Sequence, residues 1–484
     1  MGIVLKGGKV VTSEKTYCAD VRIEDEKIVD IGLDISKEND EIVDVSDSYV
    51  IPGGIDTHTH FDLDTGVTKT ADNFETGTKA AIVGGTTTIL DFATQAKGCS
   101  LKDGLEEWHE KAKDKSYSDY GFHMAITDWN DSVCNEMEDM VKEGVSSFKL
   151  YMAYKGSLQV DDGVIFEALR KAEEIGGIIG FHCENGDIIC ELVDKAKSEN
   201  NLSPKYHQLT RPAIMEAEAT SRLMKIAEVA NSKVYVVHLS CKESLEEVLK
   251  AKQRGVDVIV ETCPQYLLLN DELYDLDGFE SAKYVMSPPL RNKENNEILW
   301  NAILDNQIDT IGTDHCSFNY KGQKKLGIND FSKIPNGSPG VEHRMSLLYT
   351  YGVCKNKISI NKMVEVTSTN AAKLFGMYPN KGTIEIGSDA DILVLNPNKK
   401  SKIEAKKQLQ NVDYTPYEGY EVDCQIEHVY LRGKEVVRDG ELICNTPSGR
   451  YINRRLTKGL ENGRIYIKWR ESCCKRRQKT FRLP

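Results

Sequence analysis

The chain reads as an α/β protein, a (β/α)8 TIM-like barrel carrying a β-sandwich built from both chain ends. Three observations predict it. The middle alternates short apolar runs with helical stretches until eight strands are counted, the pattern of parallel strands joined by crossovers. The ends hold only short strand-like segments between glycine turns. Strands one, four, five, six and eight of the middle close on His, Lys or Asp, and such barrels place their active sites at the carboxyl ends of their strands. A length of 484 residues allows a barrel of about 250 residues and a second layer.

Residues 1–51 and 380–455 are assigned to the sandwich. Val4–Val11, broken by Gly7-Gly8, reads as a hairpin, and Asp20–Glu24 alternates apolar with polar. Gly382–Ile384, Ala390–Leu395 and Val429–Val437 read as strands at the other end. Residues 52–379 are assigned to the barrel. Its strands are predicted at Gly53–Thr57, Thr87–Phe92, Gly121–Ile126, Ser146–Tyr151, Ile178–His182, Val234–His238, Asp257–Glu261 and Ile308–Thr313. Helices are predicted at Phe74–Val83, which ends in Gly84-Gly85, at Ile165–Glu174 and at Ile214–Ala230. Residues 456–484 form a basic extension, read as a solvated segment that caps an acidic neighbour.

A net charge of −13 excludes a nucleic-acid partner, because phosphate binding needs a basic surface. No apolar stretch reaches the roughly 18 residues of a membrane helix. The first residues lack the layout of a signal peptide. Thirteen scattered cysteines, none in a Cys-x-x-Cys pair, read as reduced thiols of a cytoplasmic protein. Cys183 and Cys316 each follow a candidate ligand and are read as pocket lining.

The densest motif is Ile51–His60, an apolar strand running into His58-Thr59-His60. Side chains two apart on a strand point the same way, so both imidazoles can hold one cation, and imidazole suits zinc. His182, His238 and Asp314 close later strands in the same manner. A carboxylate at Asp314 can both bind metal and move a proton; His315 beside it points elsewhere. Lys149 ends the fourth strand, where lysine is out of place. An ammonium cannot bind a cation. A neutral amine that takes up carbon dioxide becomes a carbamate, whose two oxygens can bridge two metals.

These motifs, with Gly84–Thr88, Phe148–Gly156, Tyr284–Arg291, Gly312–Cys316 and Asn336–Gly340, resemble the cyclic amidohydrolases of the dihydropyrimidinase and D-hydantoinase group. The resemblance runs from residue 1 to about residue 455. It implies two Zn2+ ions bridged by N6-carboxylated Lys149 and a hydroxide, with His58, His60 and Asp314 on one ion and His182 and His238 on the other. It implies that Tyr154 hydrogen-bonds the oxyanion, that the Ser287 main chain binds the ring amide, that Asn336 has a similar task, and that the chain forms a homotetramer or dimer. Asp314 then carries the proton to the leaving nitrogen as the ring opens to an N-carbamoyl amino acid.

Relatives that act on a charged ring place an arginine shortly after the histidine pair. Here His60-Phe61-Asp62-Leu63-Asp64 has none, and Leu63 offers an apolar wall. The expected substrate is therefore a neutral cyclic amide, a dihydropyrimidine or a 5-substituted hydantoin. Thr65 stands where close relatives carry a larger apolar residue. An allantoinase-like hydrolase and a non-catalytic scaffold are the alternatives, and the retention of all six candidate ligands speaks against the second.

Overall fold

The computed structural model describes residues 2–454, so the basic extension read at 456–484 lies outside the described residues. Eight parallel strands pair in sequence order: β1 Gly54–Thr59, β2 Thr86–Thr94, β3 Asp119–Ala125, β4 Ser147–Tyr151, β5 Ile178–His182, β6 Val234–Val236, β7 Val258–Thr262 and β8 Thr310–Ile311. Between β8 and β1 the ring is all but closed by a Thr59–His315 bridge and by His60 N–H donating to His315 O at 2.9 Å. Each predicted strand overlaps its observed one, with ends displaced by no more than two residues. These strands are buried along nearly their whole length, which is why they read as continuous apolar runs rather than as alternation.

The helices between them follow their sequence signals. Phe74–Val83 starts on an Asn73 capping box and stops at Gly84. Asp162–Ile175 is capped by Asp161 and ended by left-handed Gly176, and Ala213–Ala230 ends on left-handed Asn231. The base of the barrel is filled by Ile55, Leu90, Tyr235 and Ile259, packed against Ala371, Phe375 and Met377. Arg454 inserts there too, donating to Ser147 Oγ at 3.0 Å and to the Phe122 carbonyl. With that end sealed, a ligand reaches the barrel axis from the carboxyl ends of the strands.

Both chain ends build the sandwich. A seven-stranded sheet runs Glu441–Leu442, Lys434–Arg438, Gln425–Leu431, Ile392–Asn396, Tyr49–Pro52, Lys9–Val11, Thr16–Cys18. A four-stranded sheet runs Lys27–Gly32, Asp20–Glu24, Ile3–Lys6, Glu41–Asp44. Leu5, Val10, Val21, Val50, Ile392 and Tyr430 share the core between them. Tyr49–Pro52 sits inside the larger sheet and passes through Gly53 directly into β1. A Cβ at Gly53 would lie 2.1 Å from Thr87 Oγ1, so only glycine makes that crossing.

Two readings of the ends are corrected. Val4–Val11 is not a hairpin: Ile3–Lys6 and Lys9–Val11 belong to different sheets, and Gly7-Gly8 carries the chain from one to the other. A two-residue glycine turn reads alike whether it reverses the chain or changes layer. Gly382–Ile384 is not a strand; the Gly382 carbonyl accepts from Thr369 Oγ1 at 2.7 Å, which holds the segment against the preceding helical turns.

Candidate active site

The ends of β1, β4, β5, β6 and β8 converge on a cavity of about 650 Å3 at the open end of the barrel. Its lining includes His58, His60, Leu63, Lys149, Tyr154, His182, His238, Ser287, Asp314 and Asn336. The structure thus brings every candidate site residue into one pocket. His58 lies within β1 and His60 just after it, Lys149 within β4 and His182 at the end of β5. His238 and Asp314 stand two and three residues past β6 and β8. Both have left-handed backbones, with φ of 40° and 52°, which ends the ladder and turns each side chain inward. Tyr154 is a third, with φ of 69°. Its carbonyl accepts from the N–H groups of Ser157, Leu158 and Gln159 at 3.0, 3.1 and 3.2 Å, a tight turn that fixes the residue.

Nε2 of His58 and Nε2 of His60 each lie 3.2 Å from Asp314 Oδ1. Nδ1 of His58 lies 2.6 Å from Glu261 Oε1, and donation to that carboxylate puts the ring proton on Nδ1. Nε2 is then a bare lone pair facing a carboxylate oxygen. Two acceptors at that distance repel unless a cation lies between them. His58, His60 and Asp314 offer ligand atoms all within 4.8 Å of one another. Nδ1 of His60 is buried with no hydrogen-bond partner among the described residues. This donor set fits a metal ion.

A second pair lies beside it. Nδ1 of His182 and Nε2 of His238 are 3.0 Å apart, and Nε2 of His182 donates to Glu184 Oε2 at 2.8 Å. The carboxylate again fixes the proton on the outer nitrogen and leaves the inner one bare. Lys149, fully buried, sits between the Phe92 and Tyr151 rings, its Nζ 5.1 and 5.2 Å from their centroids. Burial pushes its amine down to about 8, against the pull of Asp314 and Glu261. Burial also drives the His58 and His238 imidazoliums well below the ordinary histidine range. Burial works to raise the Asp314 carboxyl, but His58, His60 and Lys149 outweigh it and hold it below the usual aspartate range.

Glu261 was not among the residues singled out from sequence, although it closes the seventh strand as the others close theirs. Its carboxylate also accepts from Thr57 Oγ1 at 2.6 Å and from the Tyr235 hydroxyl. Gly312 makes room for it, since a Cβ there would lie 2.7 Å from Glu261 Oε2 and 2.9 Å from His58 Cβ. His315 does point away, to Asp72 Oδ2 at 3.1 Å and to the N–H groups of Gly340 and Val341. Cys316 lines the pocket. Cys183 does not; it packs into the barrel core, because it follows the strand-end histidine and turns to the opposite face.

Residues 49–436 match the amidohydrolase family. The chain belongs to that family. Within it, the chain is 46% identical over 452 residues to a D-hydantoinase of Geobacillus stearothermophilus, covering 93% of this chain and 96% of that one. A crystal structure of dihydropyrimidinase from Brevibacillus agri superposes with a TM-score of 0.93 at 46% identity, over 94% of this chain and 99% of the other. An L-hydantoinase from Arthrobacter aurescens gives 0.85 at 29% identity, over 93% and 99%. Relatives named for opposite hands of substrate thus share this fold.

Proposed function

We infer that this chain hydrolyses the amide bond of a neutral cyclic ring, a dihydropyrimidine or a 5-substituted hydantoin, and releases an N-carbamoyl amino acid. The observation that carries the reading is the convergence of bare histidine nitrogens and the Asp314 carboxylate in a pocket whose remaining walls are largely apolar. His58, His60 and Asp314 would hold one zinc ion, and His182 and His238 a second. Lys149, carboxylated on Nζ, would link them. Its environment favours that modification: an amine pushed down to about 8 is neutral in about a tenth of molecules at pH 7, and only the neutral amine adds to carbon dioxide, releasing one proton. Zinc held by these residues would supply hydroxide near neutral pH, because coordination lowers the water pKa from about 15.7 towards about 7, and would polarise the ring carbonyl.

The chain's own groups do the rest. Asp314 takes the proton of the attacking water on a carboxylate oxygen and hands it to the ring nitrogen as the carbon–nitrogen bond breaks. Water is thereby added across the amide, hydroxyl to carbon and hydrogen to nitrogen. Burial holds the Tyr154 phenol far above its ordinary pKa. It therefore stays protonated and donates to the carbonyl oxygen as negative charge develops there, a contribution of about 10²–10³ in rate. The Ser287 and Asn336 main chains bind the ring amide. Leu63, Val67, Leu158, Leu326 and Ile334 form the outer wall, which suits a hydrocarbon substituent. No arginine follows His60 to grip a ring carboxylate, and the lysine on the rim, Lys333, faces Asp330 at 3.9 Å. All eleven cysteines among the described residues are unpaired, in keeping with a reducing cytoplasm, and no described helix is long and apolar enough to cross a membrane. We propose that the enzyme works in that compartment as a homotetramer or dimer, the assembly the family resemblance implies.

The test is steady-state turnover of dihydrouracil, 5-phenylhydantoin, allantoin and dihydroorotate on zinc-loaded enzyme. Dihydrouracil and 5-phenylhydantoin are expected to dominate; a dominant dihydroorotate or allantoin rate overturns the assignment. Native mass spectrometry should show one carbon dioxide adduct per chain that disappears in Lys149→Ala. Near-normal turnover in Asp314→Ala at full metal content would falsify the proton route.

A further inference from the structure

Lys324 has no solvent exposure. It opens the short turn Lys324–Gly327 in the loop that follows β8. Its Nζ donates to three carbonyls, Val285 O at 2.8 Å, Pro335 O at 2.7 Å and Gly337 O at 2.7 Å. An ammonium has three N–H donors, and all three are used. Among the described residues no carboxylate forms an ion pair with it. Burial without a counter-charge lowers the pKa of this amine, and the three carbonyls aimed at Nζ favour its charged form. A position that served packing alone would be filled at lower cost by methionine or leucine.

The three carbonyls belong to the two segments, 285–287 and 335–337, that supply Ser287 and Asn336 to the pocket. Lys324 itself does not line the cavity; it stands behind that wall. Gly337 N–H donates to Val285 O at 3.1 Å and joins the segments to each other. On the same stretch, His207 Nε2 donates to Met286 O at 2.8 Å. Peptide geometry gives these contacts a consequence at the pocket. The C=O and N–H of one trans peptide point in opposite directions. Holding Pro335 O toward Lys324 therefore turns the Asn336 N–H away from it, and holding Met286 O toward His207 does the same for the Ser287 N–H.

We propose that Lys324 is a positioning residue that sets the peptide planes of the Ser287 and Asn336 segments and thereby governs affinity for the ring amide, without acting on the metal centre. This rests on the reading that those two main chains bind the ring. It separates ring recognition from bond breaking: the metal-binding side chains come from the strand ends, whereas the ring contacts hang on one buried cation.

The experiment compares wild type with Lys324→Met and Lys324→Gln, the second keeping two N–H donors on a shorter neutral chain. Metal content, kcat and KM for dihydrouracil and 5-phenylhydantoin are measured, with hydrogen–deuterium exchange over 285–287 and 335–338. Lys324→Met is expected to raise KM about tenfold, the scale of a lost hydrogen bond to a charged group, and Lys324→Gln by less. Metal content should be unchanged, kcat should stay within about threefold of wild type, and the Gly337 amide should exchange faster. A wild-type KM in either soluble variant overturns the proposal, as does a parallel fall of kcat and metal content. So does an insoluble Lys324→Met beside a Lys324→Gln with wild-type KM and exchange. If wild type turned over neither neutral ring, the functional assignment itself would fail, an outcome distinct from all of these.

Discussion

Two carboxylates that cannot reach substrate decide which histidine nitrogens face the pocket. Glu261 stands behind His58 and Glu184 behind His182. Each of the two proposed ion positions therefore has one histidine whose proton is fixed outward by a buried acid, which raises its basicity and holds the ring in place. His60 lacks such a partner; it is held from either side instead, by Asp91, which accepts from Thr59 Oγ1 at 2.7 Å and from Phe61 N–H at 2.8 Å. Replacing Glu261 by Gln is expected to weaken metal retention about tenfold or more, read as metal per chain after dialysis against a graded chelator series. Retention equal to wild type would sink the role assigned to Glu261. A second residue sets part of the acid limit of the fold. Burial pushes His343 down to about 4, from an unfolded value near 6.5. Above about pH 6.5 the histidine is neutral in both states and contributes nothing to the pH dependence. Below that the unfolded chain binds the proton and the folded one does not, so stability falls with pH until about 4. By pH 5 the loss is about 2 kcal/mol. His343→Gln should flatten the fall in melting temperature between pH 7 and pH 5, whatever its stability at pH 7.

At the scale of elements, the active end of the barrel is made by strands that stop on left-handed residues. Tyr154, His238 and Asp314 accept that conformation without the freedom of glycine, and such backbone collects where a side chain must be aimed. The loop after β8 meets a harder constraint at Gly337. Its φ is 142°, and a Cβ would lie 2.4 Å from Cys316 O, two residues from Asp314. Gly337→Ala must shift the Asn336 segment or the end of β8. It should lower kcat/KM about tenfold or more, and an unchanged value would show that the loop yields freely. The strands and the long helices were legible because a strand buried on both faces and a capped helix leave their marks within a dozen residues of sequence. The Val4–Val11 reading failed because nothing local distinguishes a hairpin turn from a change of sheet. Glu261 was passed over because an acid at a strand end is common, and its meaning depends on which histidine lies across the barrel. Lys324 carries no sequence signal at all, since its acceptors are backbone carbonyls.

For the molecule as a whole, the barrel and the sandwich are held together by buried charge as well as by the Gly53 crossing. Lys381 Nζ lies 2.8 Å from Asp119 Oδ2 and 3.2 Å from Asp389 Oδ2 and also bonds Asp391, while Arg432 pairs with Asp119. Asp119 begins β3, and Asp391 immediately precedes the sandwich strand Ile392–Asn396. Burial works against the Lys381 ammonium, but the three aspartates outweigh it and raise its pKa. Lys381→Met would strand the buried Asp391 carboxylate and leave Asp119 to Arg432 alone, at a cost of about 3–5 kcal/mol. A clear drop in the urea midpoint is expected, with the metal content of the folded fraction unchanged because the cluster lies at the far end of the barrel. A midpoint within error of wild type would show that the cluster does not bind the two layers.

The sequence by itself determined the eight-stranded barrel, the terminal sandwich and the six strand-end side chains around His58 and Lys149. Those features repeat locally: apolar runs, caps, and polar residues at fixed places along a strand. Only the tertiary structure decided which nitrogen of His58 and of His182 is bare, that Cys183 faces the core, and that Lys324 grips the segments carrying Ser287 and Asn336. Each of those is a contact between residues far apart in the chain, and such a contact is set by how the layers close on one another.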